Sequence, residues 1–364
     1  MKTVIAIDSF KGCLSSSQAV KAAAGAFSPD DEVICHPISD GGEGFTKILS
    51  DALGGKIVTI CTKDPLGRDI DADIALIDND NTAIIETASA SGLCLLSPSE
   101  RNVRKASSFG TGILILKAVE LGAKNIILGL GGSATNDGGK GLLDALGIRF
   151  DGNTIASAKA NIKAGAYYKC FYDSNIHFYG PNGATYLYAP QKGCPPDELE
   201  EIDKMMHSLC NVYSSYSGKD IQNTVGSGAA GGIGGAMKAV LDAKMVYGIK
   251  GVLDLIGLEK DLGRCDLVIT GEGKADLQTL TGKAPKGVLD YVRQYKHKGY
   301  KIKVVLLAGK VENRDELLEA GFDDVLQITP DNMPISEAIR PEMAEKNIQA
   351  SIKNFLHLQY LRQL

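Results

Sequence analysis

Residues 125–141 read Asn-Ile-Ile-Leu-Gly-Leu-Gly-Gly-Ser-Ala-Thr-Asn-Asp-Gly-Gly-Lys-Gly. The apolar run Ile126-Ile127-Leu128 predicts a short buried strand. Leu142, Leu143 and Leu146 recur at helical spacing, so the glycines fall at a strand-to-helix turn. A turn of that kind aims backbone amides and a helix N-terminus at phosphate or carboxylate oxygens. Ser133, Thr135 and Asn136 add donors. Asp137 is an acceptor, better suited to a hydroxyl, an amine or a metal ion. The same residues also fit a Gly-rich crossover loop closed by an Asx turn.

Working outward, the same strand-loop-helix rhythm opens the chain. Val4 to Ile7 is a short apolar run ending in Asp8-Ser9-Phe10-Lys11-Gly12, and Ser15-x-x-Gln18 is a capping box for a helix carrying Val20, Ala23, Ala24 and Phe27. Asp8 and Lys11 then stand at the carboxyl end of a strand, where open α/β sheets place ligands, or pair with each other as ions. Glu32 to Ile38 predicts a second strand, ending in Ser39-Asp40-Gly41-Gly42-Glu43-Gly44, which holds more acid than a turn requires.

From Lys56 the pattern becomes short alternating strands, Ile57 to Thr62, Ile70 to Ile77 and Ala83 to Glu86, with turn residues Asp64-Pro65-Leu66-Gly67-Arg68 and Asp78-Asn79-Asp80-Asn81 at the corners: an antiparallel meander. Ser107-Ser108-Phe109-Gly110-Thr111-Gly112 opens an apolar helix, either as an oxyanion site or as an N-cap. Gly226-Ser227-Gly228-Ala229-Ala230-Gly231-Gly232 leads into another helix and permits close packing or a ligand. At Asp266 to Thr270 the strand-loop-helix rhythm returns, with a predicted loop from Gly271-Glu272-Gly273-Lys274 through Asp276 to Thr279. Strands at Lys303 to Leu307 and Asp324 to Ile328 and an amphipathic last helix follow. The reading is α/β: a flavodoxin- or Rossmann-like parallel-sheet domain from residues 1–55 and 262–364, with a mixed α/β domain, 56–261, inserted into it. The active site is expected in the cleft between them.

A chain of 364 residues with 44% hydrophobic residues and 42 glycines has the size and composition of such a protein. A net charge of -5 with scattered basic residues argues against nucleic acid. No apolar run reaches membrane-spanning length, and the early Asp8 and Lys11 interrupt any signal-like start. The eight cysteines lie far apart without zinc spacing and read as buried thiols of a cytoplasmic protein.

The loops narrow the chemistry. No P-loop string is present. Gly129-x-Gly131-x-x-Ala134 and Gly226-x-Gly228-x-x-Gly231 match a dinucleotide fingerprint only loosely, which leaves a NAD-dependent dehydrogenase as a minor alternative. The five histidines are dispersed, giving neither a zinc cluster nor a His-assisted nucleophile. What recurs is carboxylate beside glycine and lysine: Asp8 with Lys11, Asp40 with Glu43, Asp137 with Lys140, Glu272 with Lys274, Asp276 with Lys283. Such a set suits phosphoryl transfer, where positioning and charge stabilisation do most of the catalysis.

These blocks, together with Asp64 to Arg68, Gly180-Pro181-x-Gly183-Ala184, Pro190-Gln191-Lys192-Gly193 and Gln278-Thr279 before Gly282-Lys283, resemble the type-1 glycerate kinases almost end to end. The resemblance implies ATP-dependent phosphorylation of D-glycerate with Mg2+, the 2-hydroxyl favoured over the 3-hydroxyl, in organic-acid catabolism, by a monomer or homodimer. Candidate catalytic residues are Asp173, Lys11, Asp8 and Asp276. Candidate substrate- and phosphate-binding residues are Asp40, Gly41, Gly42, Glu43, Arg68, Gly110, Thr111, Gly131, Gly132, Ser133, Thr135, Asn136, Asp137, Lys192, Gly271, Glu272, Thr279 and Lys283. No residue is singled out for the metal. One segment departs from the family, whose Cys-Asp-Val-x-Asn-Pro-Leu is here Tyr172-Asp173-Ser174-Asn175-Ile176-His177-Phe178. Asp173, which the resemblance makes the base, stays in register. A non-catalytic sugar-acid or nucleotide sensor on the same fold is a further alternative.

Overall fold

Val4 to Ile7 is apolar on both faces, and a strand of that kind has to be covered on both. It lies in β1 (Lys2–Ile7), where Val4 and Ile5 are fully buried, and β2 (Glu32–Pro37) follows. The chain continues through β3 (Lys56–Lys63), β4 (Asp69–Ile77), β5 (Thr82–Glu86), β6 (Asn125–Gly129), β7 (Arg149–Asp151), β8 (Thr154–Ser157), β9 (Tyr167–Tyr172) and β10 (Lys244–Tyr247). It ends with β11 (Leu267–Ala275), β12 (Lys303–Val311) and β13 (Asp324–Gln327). The structure is a computed structural model and describes residues 1–39, 41–42, 44–151, 154–157 and 166–361.

Two compact units divide the chain, Met1–Asp40 with Ile249–Leu364, and Gly41–Gly248. The changes of unit fall earlier than the sequence pattern predicts, near residues 40 and 248 rather than 55 and 261. Packing explains both shifts. The helix Phe45–Leu53 packs on β4 and β5 and goes with the second unit. Residues from Ile249 onward go with the first, where Tyr291 Oη donates to Asp254 Oδ1 at 3.0 Å.

The first unit is a five-stranded parallel sheet in the order β13-β12-β11-β1-β2. Numbered within the unit this is the flavodoxin-like order 2-1-3-4-5, with its topological switch point between β1 and β11. The Ser15–Gln18 capping box forms and starts the helix Ser16–Ala24, which packs against the terminal helix Pro341–Leu361. Val20 and Ala23 meet Ile348, Ile352 and Phe355 over Ile5, Ile269 and Leu307. β11 runs further than expected. Gly271 and Glu272, predicted in a loop, pair with Leu307 and Ala308 of β12. A Cβ at Gly271 would lie 2.4 Å from Leu307 O, so the glycine is what lets the strand continue there.

In the second unit the sheet order is β10-β9-β6-β5-β4-β3. β3, β4 and β5 form the predicted antiparallel meander, while β5, β6, β9 and β10 are parallel. β9 and β10 escape the sequence reading: Lys169 interrupts the aromatic run of the first, and the second spans four residues. Their register aligns Glu86, Gly129 and Phe171, so the segments after β5, β6 and β9 leave from one edge of the sheet. The core beneath them joins Ile74, Ile85, Leu114, Leu128, Leu142, Cys170, Phe178 and Tyr213. All eight cysteines are free thiols, but only Cys170, Cys194, Cys210 and Cys265 are buried, so the uniformly buried set expected from the sequence is not what forms.

Candidate active site

The strand-to-helix turn after β6 forms as read, but it is not an open cradle of amides. Its helix, Lys140–Ala145, is short, and the anion at its start is the protein's own. Asp137 Oδ1 accepts from the Gly139 amide at 3.0 Å. Its Oδ2 accepts from the Gly141 amide at 3.1 Å and from the amide and hydroxyl of Ser108 at 2.9 and 2.8 Å. Asp137 therefore organises the turn and ties it to the helix Phe109–Glu120, with its lone pairs largely spent. The Asx-turn reading is the one realised at this residue, and the expected helix N-terminal anion site is corrected accordingly.

The earlier half of the loop is built by close backbone approach. Gly131 N donates to Gly41 O at 3.0 Å, and a Cβ on Gly131 would sit 2.4 Å from Gly42 Cα. Gly41, Gly42 and Gly131 thus bring two segments together, which assigns the pair at 41–42 a structural task. Asp40 and Glu43, the carboxylates expected beside them, lie outside the described residues. Gly132 is exposed with φ +68°, and its carbonyl accepts from the Leu93 amide.

Lys192 is the charged centre of this unit. It ends the turn Pro190–Lys192 and is buried, and its ammonium donates to Ser133 Oγ at 3.0 Å and to Thr135 O at 2.8 Å. Burial pushes its pKa down to about 8, against the attraction of Asp137 and Asp173. Two neutral acceptors do not discharge a buried ammonium, so the position suits an incoming anionic oxygen. Thr135 Oγ1 and Asn136 Oδ1 beside it, and Ser227 Oγ in the same unit, are buried without a hydrogen-bond partner among the described residues, while Asn136 Nδ2 donates to Thr185 Oγ1 at 3.0 Å. A buried polar atom left unpaired costs free energy unless a ligand or water meets it.

Asp173 follows β9 directly, half-buried, and its charge reaches Lys192. The segment after it, where the sequence departs from its family, is held in place. Ile176 O accepts from Gly228 N at 3.2 Å, His177 N donates to Asn182 O at 3.2 Å, and Phe178 is fully buried edge-on to Tyr213. The glycines of 226–232 serve packing. Gly231 has φ +64°, and a Cβ there would lie 1.9 Å from Thr135 O.

Other expected binding residues of this unit are committed elsewhere. Arg68 is clamped by Asp64 Oδ2 at 2.5 Å and Glu100 Oε1 at 2.6 Å. Gly110 lets its helix touch β3, since a Cβ would lie 1.9 Å from Lys63 O, and Thr111 is buried against Ser91 Oγ at 2.7 Å. Glu86, which the sequence reading passes over, accepts from the amides of Gly44 and Thr46 at 3.3 and 3.0 Å and so caps the helix Phe45–Leu53. Its signal was available: a carboxylate closing an otherwise apolar strand.

In the first unit Asp8 leaves β1 at the switch point, its amide donating to Gly271 O at 3.0 Å and its carboxylate accepting from Ser9 N at 2.6 Å. Lys11 is exposed and makes no ion pair among the described residues, so the Asp8–Lys11 pair is not formed. Beside them Glu272 is buried; its Oε1 accepts from Thr279 Oγ1 at 2.5 Å, and Oε2 faces Lys283 Nζ at 3.5 Å. Burial raises its pKa despite Thr279 and Lys283. Asp276 caps the turn Leu277–Thr281, with Gln278 N donating to Oδ1 at 2.8 Å. Burial works to raise this carboxyl too, but the Gln278 amide, Lys274 and Lys283 prevail and hold it below the usual range. Two neighbouring carboxyls pushed in opposite directions are a pattern of acid–base sites.

No helix among the described residues is long and apolar enough to cross a membrane. The chain matches the family model described as the glycerate kinase family over residues 3–359. A glycerate kinase of Bacillus cereus is 37% identical, with 97% of each chain covered. A glycerate 2-kinase of Escherichia coli is 34% identical, covering 97% of this chain and 98% of its own. A crystal structure assigned as a glycerate kinase 2 of Salmonella typhimurium LT2 superposes with a TM-score of 0.83 at 34% identity, covering 100% of both chains. Matches of this length place the whole chain within one family, and the chain belongs to the glycerate kinase family.

Proposed function

We propose that the protein transfers the γ-phosphoryl group of ATP to the 2-hydroxyl of D-glycerate, giving 2-phosphoglycerate and ADP, as a cytoplasmic enzyme of organic-acid catabolism. The observation that carries this reading is Lys192: a buried ammonium bonded to Ser133 and Thr135 and coupled to Asp173. An anionic group held there lies near a carboxylate fit to act as base. In the proposed step Asp173 takes the proton of the attacking hydroxyl, that oxygen bonds to the γ-phosphorus, and the bond to the β,γ-bridging oxygen breaks. Serine, threonine and asparagine groups around Lys192 orient the acceptor. Membership of a kinase family and the glycerate 2-kinase among the relatives support the acceptor and the 2-position.

The donor set fits magnesium in one particular way. Among the described residues no group of three or more His, Cys, Asp or Glu is arranged to hold a metal. Mg2+ that stays on nucleotide phosphates needs only one or two carboxylates besides water. Asp8 and Asp276, at the carboxyl ends of β1 and β11, are the groups we assign to it. Bound there, it would neutralise charge on the phosphates.

The test is incubation with D-glycerate and Mg·ATP, read by phosphorus NMR. The expected product is 2-phosphoglycerate. A 3-phosphoglycerate signal would overturn the regiochemistry, and no ADP above background would overturn the activity and favour the sensor reading.

A further inference from the structure

Arg68 and Arg104 are each held by a pair of carboxylates. Arg68 sits between Asp64 and Glu100, and Arg104 between Glu198 and Glu201. Arg101, on the same segment as Arg104 and half-buried, makes no ion pair among the described residues. Its Nη1 reaches Gln191 O at 3.5 Å, the outer limit of a hydrogen bond, and its Nε is buried without a partner among the described residues. A guanidinium stays charged and carries several N–H donors, so one marginal bond leaves most of its capacity unspent. A buried N–H with no acceptor costs free energy until a ligand or water meets it.

The side chain is anchored on the turn that ends in Lys192. On one side it reaches Gln191. On the other, a Cβ at Gly193 would lie 2.2 Å from Arg101 O and 2.9 Å from Arg101 Cβ, so only a glycine lets the two segments touch there. Lys192, between those two contacts, turns inward to Ser133 and Thr135. Arg101 thus packs on the outside of the turn whose inside holds the buried ammonium. With Nη1 directed at Gln191, the edge of the guanidinium formed by Nε and Nη2 is the one left over. That edge presents parallel N–H groups at the spacing of the two oxygens of a carboxylate.

We propose that Arg101 determines specificity for the acceptor, its Nε and Nη2 taking the carboxylate of glycerate side-on beside the Lys192 turn. The inference rests on the kinase reading above and adds which side chain tells a hydroxy acid from a neutral polyol.

The test is steady-state kinetics and calorimetry of the full chain with D-glycerate and with its uncharged amide. The chains compared are wild type, Arg101→Lys and Arg101→Met, each checked by thermal melting; the lysine variant carries the comparison if the methionine variant melts early. Arg101→Met should raise KM and Kd for glycerate by about tenfold to a hundredfold, with kcat and the KM for Mg·ATP near wild type and the amide unaffected. Arg101→Lys keeps the charge without the fork and should fall between. A merely structural arginine would weaken glycerate and amide alike. That outcome, or wild-type KM for glycerate in both variants, overturns the assignment and leaves the kinase reading intact. Glycerate bound but not phosphorylated by the wild type, with binding weakened in the variants, keeps the carboxylate site and overturns the kinase reading. Neither binding nor turnover of glycerate by the wild type overturns both.

Discussion

Asp137 takes both the amide and the hydroxyl of Ser108 on one carboxylate oxygen, at 2.9 and 2.8 Å. The same oxygen also receives the Gly141 amide. A loop whose composition suggests an external anion therefore already contains an internal one, and the cation left for a substrate is Lys192.

Removing that internal anion should unsettle the turn before it touches chemistry. Asp137→Asn keeps shape but loses acceptor capacity on one side, and bonds to charged groups are worth roughly 1.5–3 kcal/mol each. Urea unfolding should show a loss on that order. Ser108→Ala should lose less, and the double variant should be less than additive because the two share their bonds.

The lowered pKa of Lys192 has opposite effects on substrate and on stability. Between about 8 and the ordinary 10.5 the unfolded chain holds a proton that the folded protein has released. This group's contribution to stability therefore rises with pH across that window. Anion binding is lost in the same interval, because the ammonium becomes an amine. The pH profile of kcat/KM should fall on its alkaline limb with an apparent pKa near 8, and Lys192→Met should abolish that limb along with most of the activity.

Asp173→Asn separates a base from a turn residue. If Asp173 accepts the hydroxyl proton, turnover should drop by about 10²–10⁴ while nucleotide affinity is retained. Asp276→Asn, which leaves a competent cap, should change nucleotide and magnesium dependence more than the chemical step. Near-normal turnover in the first variant and collapse in the second would move the base to the first unit.

Gly231→Ala should be far more harmful than its size suggests. Left-handed backbone alone costs about 1–2 kcal/mol, and Gly54→Ala, with φ +65° and open space around it, should cost no more than that. At Gly231 the added methyl would lie 1.9 Å from Thr135 O, the carbonyl that holds Lys192. Thermal melts should separate the two by several kcal/mol, with an added rise in KM for the acceptor in Gly231→Ala alone.

Much of this fold was legible in local pattern. The capping box at Ser15, the meander from Lys56 and the parallel sheet of the first unit all rest on periodicity and turn chemistry that short windows contain. What escaped depends on distant partners. β11 continues through Gly271 because β12 runs beside it, and no residue near Gly271 announces Leu307. Gly41 and Gly110, read as ligand contacts, and Gly231, read as serving packing or a ligand, stand where backbones far apart in sequence come close. Lys192 was a binding candidate only through the family block around it; that it is buried and bonded to Ser133 and Thr135, on another loop, no local pattern announced.

The first unit is assembled from both ends of the chain, and this sets an order of events during synthesis. β1 can pair with β2 at once, but its other neighbour, β11, is translated only after the whole of Gly41–Gly248. At ribosomal rates of about 5–20 residues per second, the apolar edge of Val4, Ile5 and Ile7 waits on the order of ten to fifty seconds for its partner. The continuous second unit has every strand it needs before then. A chain ending at residue 248 would hold every strand of the second unit's sheet but only two of the five strands of the first.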